Sequence, residues 1–122
     1  EFTIRFGYTN SIVTALPSYF DNQPTELFIQ AIRKTHLLRI DKSAFEEYVT
    51  KDLSSLKEYH IVLKELVSSF LAREVDLLTQ SPTSRIKRLF ERSPQLFQEV
   101  PHKYIASYLR MSPETFSRIF KS

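Results

Sequence analysis

At 122 residues, 42% of them apolar, the chain suits one modest domain or two very small ones; with no run near 18 apolar residues and no charged start before a hydrophobic stretch, neither a membrane span nor a secretory signal is expected. Cysteine is absent and Gly7 is the sole glycine, which excludes disulfides, thiolate metal sites, cysteine nucleophiles and glycine-built phosphate loops, and fits a reducing cytoplasm. The net charge of +3 is uneven: residues 1–80 hold 9 Lys/Arg against 11 Asp/Glu, residues 81–122 hold 8 against 3, so the last third invites a polyanionic partner or, more plainly, is a solubilising basic surface.

Along the chain, Glu1-Phe2-Thr3-Ile4-Arg5-Phe6 alternates polar and apolar with the period of a half-buried strand, which predicts that earlier strands of a larger sheet precede it. Ser11–Phe20 reads as a short helix broken by Pro17, and Asp21-Asn22-Gln23-Pro24 as a turn. Residues 26–33 and 37–40 read as two strands around Lys34-Thr35, and Asp41 as the N-cap of a helix through Phe45, Tyr48 and Val49.

From Asp52 to Gln80 there is neither Pro nor Gly. Leu56, Leu63, Phe70 and Leu77 recur every seven residues with Tyr59, Leu66 and Val67 between them, the seam of a coiled coil. Leu71, Val75 and Leu78 form a second strip. A helix of about 28 residues is about 42 Å long, more than so small a domain can cover, so one strip is expected to meet a second copy. The alternative is a core helix with no partner copy. Arg73, at a seam position, limits the seam.

Ser81-Pro82, Ser93-Pro94 and Ser112-Pro113 are helix-start signals, because a proline at the first helical position lacks only an N–H that would be unpaired there. They divide residues 81–122 into a helix opened by Pro82, a short turn opened by Pro94 and a closing helical pair entered from Pro101, with a hinge expected at residue 81. The closing stretch places Ile105, Ala106, Leu109, Met111, Phe116 and Ile119 where two short helices at a steep angle need apolar faces. The opposite face of the last helix carries Pro113, Glu114, Ser117, Arg118 and Lys121. Arginine can pair with guanine, glutamate can accept from cytosine, and lysine can meet phosphate, so this pattern reads as a DNA-reading helix-turn-helix or, alternatively, a plain helical hairpin.

Lys103-Tyr104-Ile105-Ala106-Ser107-Tyr108-Leu109 followed by Ser112-Pro113-Glu114-Thr115-Phe116-Ser117-Arg118-Ile119 closely resembles the closing motif of Crp/Fnr-type bacterial transcription regulators, most nearly their short-tailed Bacteroidetes-like branch. The resemblance implies an α+β fold: the C-terminal half of a cyclic-nucleotide-binding-like β-roll over 1–51, a dimerisation helix over 52–80, and a winged-helix-like helix-turn-helix DNA-binding domain over 81–122. Position by position, it implies that Ser112 to Lys121 is the recognition helix. Glu114 and Arg118 would contact bases, with Ser112, Thr115 and Ser117 as lesser contacts and Lys103 and Lys121 on phosphates. Pro113 stands where some members have a base-reading arginine, and Arg110 where such units place a glycine with positive φ. The dimer interface would be Leu56, Tyr59, Leu63, Leu66, Phe70 and Leu77.

The family's cyclic-nucleotide cassette aligns with Thr14-Ala15 and Thr25-Glu26, which lack its glycine, glutamate and arginine. Cyclic AMP or GMP binding is therefore not expected, and no cofactor is. His36, His60 and His102 show no metal-ligand spacing, and no nucleophile–base pair suggests an enzyme. The expected function is sequence-specific regulation of transcription by a cytoplasmic homodimer on a pseudo-palindromic duplex, with RNA polymerase a possible partner and any effector unidentified. The alternative is a dimeric protein-interaction or non-nucleotide effector-sensing module.

Overall fold

The computed structural model describes residues 1–122. Its regular elements are seven helices: α1 (Leu16–Asp21), α2 (Lys42–Thr50), α3 (Leu53–Leu78), α4 (Pro82–Arg92), α5 (Pro94–Glu99), α6 (His102–Tyr108) and α7 (Pro113–Phe120). The chain divides into two compact units, the first formed by Glu1–Phe6 with Leu66–Ser122 and the second by Gly7–Glu65; α3 runs through the boundary between them.

This overturns the α+β expectation. No strand is present, so the β-roll predicted over 1–51 is not formed and no strand-built wing accompanies the last helices. Residues 1–6 do alternate, and 26–33 and 37–40 are short apolar runs, but either pattern is only permissive. A strand exists when a neighbour supplies the other half of its hydrogen-bond ladder, and here none does. Residues 26–40 instead make local bonds, such as the Leu27 N–H to Thr25 Oγ1 at 3.0 Å and Thr35 Oγ1–H to the Arg33 carbonyl at 2.7 Å. Their apolar side chains stay in water: Phe28 is 66% and Leu38 fully exposed.

Pro17 is the second correction. It sits in the first turn of α1 and opens that helix rather than breaking one. The helix ends on Asn22, whose left-handed conformation (φ 54°) lets its N–H bond the Ser18 carbonyl. In the second unit the Tyr19 ring meets Phe20 and Phe45 edge-on, and Phe45 meets Tyr59 in the same way. The Tyr19 hydroxyl donates to the Glu46 carboxylate, and burial followed by that bond pushes its pKa up. Val49 is the only fully buried apolar side chain of this unit.

The long helix begins one residue after its expected start and ends two before its expected finish. Asp52 precedes it, and its carboxylate accepts the Ser55 N–H at 2.8 Å, a bond that holds the Asp52 pKa below the usual carboxylate range. Each Ser-Pro pair opens a helix, Ser93-Pro94 included, where only a short turn was expected. Ser81 Oγ accepts the Ser84 N–H at 3.3 Å and Ser112 Oγ the Thr115 N–H at 3.1 Å, while Pro82, Pro94 and Pro113 occupy first turns.

In the first unit α4 to α7 surround one core: Ile86, Leu89, Leu96, Phe97, Ile105, Ala106, Leu109 and Phe116, with Val100, Met111 and Ile119 packed at its edge. Phe97, Phe116 and Phe120 stack with ring centroids 5.4–6.2 Å apart. The junction at residue 81 is not a free hinge. Asp76, fully buried near the end of α3, accepts from Arg88 Nε at 2.9 Å and from the Arg92 guanidinium, both on α4. Arg85 adds bonds to the carbonyls of Thr79 (2.6 Å) and Gln80 (3.3 Å). A buried carboxylate with two arginines is satisfied only while α3 and α4 keep this register.

Candidate nucleic-acid interface

The α6–α7 pair turns on four residues, and backbone bonds close the end of α6. The Arg110 N–H bonds the Ser107 carbonyl at 3.1 Å and the Met111 N–H reaches back to Ala106 at 3.0 Å. This 6→1, 5→2 pattern is a Schellman ending, which needs one left-handed residue. Arg110 is that residue, at φ 56°. A side chain there costs about 1 kcal/mol relative to glycine, so other contacts must hold the turn.

Two arginines do so. The last carbonyls of a helix have no partner within it. Arg73 Nη2 donates to the Tyr108 carbonyl at 3.2 Å, and Arg85 Nη1 to the Leu109 carbonyl at 3.2 Å. The Arg73 guanidinium also lies over the Tyr108 ring, 4.7 Å from its centroid. Burial pulls the Arg73 pKa below the ordinary arginine value and pushes the Tyr108 pKa above the ordinary tyrosine value. The helix-end role of these arginines was not read from the sequence. The signal for Arg73 was present, since a cation interrupting an apolar seam must have a partner elsewhere; Arg85 carried no such mark.

Across α7 the faces separate cleanly. Phe116 is completely buried, and Thr115, Ser117 and Ile119 are half-buried. Ser112, Pro113, Glu114, Arg118 and Lys121 are exposed. Glu114, Arg118 and Lys121, spaced i, i+4, i+7, share one side of the helix. Lys103 is exposed in the first turn of α6, its ammonium 4.9 Å from the Tyr104 ring centroid. The residues named from sequence for DNA contact therefore come together at α7 and its cap, with Lys103 one helix earlier.

The six seam residues divide between the units. Leu56, Tyr59 and Leu63, in the second, line a shallow groove with Leu53, Lys57 and His60. Of the other three, Leu66 and Leu77 are half-buried, while Phe70 is 38% exposed with the Arg5 guanidinium over its ring. Arg73 leaves the seam for the end of α6.

The positions aligned with the nucleotide cassette serve the backbone: Ala15 precedes α1 as its cap, and Thr25 Oγ1 accepts from Leu27. No three His, Asp or Glu side chains come together as a metal site, and no helix is long and apolar enough to cross a membrane. Comparison with protein-family models, with curated proteins and with solved structures returned no match.

Proposed function

We propose that this chain binds duplex DNA through the exposed side of α7 and regulates transcription as a homodimer. One observation carries the reading: an eight-residue helix hides Phe116 completely while turning Glu114, Arg118 and Lys121 outward, on a chain whose last 42 residues have five more basic than acidic groups. A short helix propped on its predecessor, capped at its start and charged on its free face, has the form that enters a major groove. Arg118 and Glu114 are the base readers and Lys121 and Lys103 the phosphate contacts.

In this reading α3 joins two copies through its exposed apolar residues, the recognition helices meet successive major grooves about 34 Å apart, and the protein works in the cytoplasm. The resemblance to Crp/Fnr regulators supports this reading through the α6–α7 sequence motif and the long helix; the β-roll that it implied is not formed.

Selection of duplexes from random sequence by the full chain, followed by titration with salt, tests this. Arg118→Ala is expected to weaken the selected duplex by about 1–3 kcal/mol and relax one base pair per half-site. Lys121→Ala is expected to weaken all duplexes alike and reduce the salt slope by about 0.9. Failure to enrich any duplex, with both variants behaving as the parent, would end the DNA reading and leave α7 as a surface for another protein.

A further inference from the structure

Residues 1–6 form no helix or strand and lie, in the first unit, against the place where α6 gives way to α7. The Thr3 N–H donates to Ser107 Oγ at 2.8 Å, and the Thr3 carbonyl accepts from Arg73 Nη2 at 3.3 Å. That nitrogen also holds the Tyr108 carbonyl, so one guanidinium ties this segment to the end of α6. The side chains reinforce the bond pattern. Phe6 packs on Tyr108 with ring centroids 5.4 Å apart, and the Arg110 guanidinium stands over the Phe2 ring at 4.7 Å. Ser107, Tyr108 and Arg110 are therefore all engaged by six residues that precede them by a hundred.

We propose that residues 1–6 are a latch that fixes the α6–α7 connection for DNA reading, with Arg73 and Ser107 as the positioning residues that hold it. The physical argument lies in the connection itself. Four residues join α6 to α7, one of them strained at positive φ, so the direction of α7 depends on how firmly Ser107 to Met111 are held. The latch grips that stretch through two backbone groups of one residue, Thr3, while Arg110 is drawn onto Phe2. With the latch undocked, the Thr3 bonds and the Phe2 contact are lost, Arg73 keeps only its Tyr108 partners, and the connection is free to sample other turns. This inference rests on the DNA reading of α7.

The test uses the full chain and two readouts: amide hydrogen exchange at Arg110 and Met111, and affinity for the duplex the parent selects. Thr3→Pro removes the N–H that Ser107 accepts, Ser107→Ala removes the acceptor, and Thr3→Ala keeps both backbone groups. Exchange in the first two variants is expected to rise about fivefold, the equivalent of one lost hydrogen bond, with a matching fall in DNA affinity, while Thr3→Ala follows the parent. Unchanged exchange in both Thr3→Pro and Ser107→Ala would overturn the latch. So would faster exchange with unchanged affinity, since the connection would then be loosened without consequence for reading. A parent that selects no duplex refutes the DNA reading instead, a result separate from what the exchange of the variants says about docking.

Discussion

The two units hold nearly the same share of apolar residues, 26 of 63 in Glu1–Phe6 with Leu66–Ser122 and 25 of 59 in Gly7–Glu65. Yet the first buries eight apolar side chains, Phe116 among them, and the second buries Val49. Composition therefore does not decide burial here; period and partner do. In α4 to α7 the apolar residues recur at helical spacing and each helix turns its stripe toward the others. In residues 26–40 they fall in short runs outside any helix or strand, and with no neighbouring element to cover them they remain solvated. A long exposed apolar stretch of this kind is also a template for association, which makes the second unit the more aggregation-prone of the two.

The sharpest way to break this contrast is to make one substitution in both places. Phe116→Ala should destabilise the first unit by about 3–5 kcal/mol in urea unfolding followed by circular dichroism, whereas Phe28→Ala should change stability by less than about 0.5 kcal/mol. Equal effects would mean that residues 26–40 are covered in solution. A smaller loss is expected at the buried charge. Asp76→Asn leaves Arg88 and Arg92 without their carboxylate, but both guanidiniums are partly in water, so about 2–3 kcal/mol is expected. Burial opposes ionisation of the Arg92 partner less than the Asp76 bond favours it, which keeps the Arg92 pKa raised. The substitution should remove that preference while leaving α7 exposed. Smallest is the cap: Ser112→Ala removes the acceptor for the Thr115 N–H and should cost about 1 kcal/mol, read as a lower urea midpoint at constant slope.

Much of the first unit could be read in advance because its signals are local. A serine before a proline has one comfortable place in a helix, and Ser81-Pro82 and Ser112-Pro113 took it. Phe116, Ile105 and Leu109 fell on faces that only a neighbouring helix could cover. The exposed set on α7 followed from the same periodicity, since whatever is not turned inward at 3.6 residues per turn is turned outward. Arg73 was visible as an anomaly and misread as a mere end to the seam. The Phe2–Arg110 contact had no signal at all, because nothing in either residue names a partner 108 positions away.

The sequence alone determined where α4 and α7 begin, the extent of α3 to within two residues, and which side of the closing helices is apolar, because capping, proline geometry and helical period act within a few residues. Tertiary structure alone decided that residues 1–6, 26–33 and 37–40 are not strands, that Arg73 and Arg85 close the end of α6, and that residues 1–6 lie against the α6–α7 connection. The physical reason is the same in each case: a hydrogen-bond ladder or an orphan carbonyl is satisfied by whatever the folded chain brings within 3 Å or so, and that neighbour is not encoded near the group that needs it.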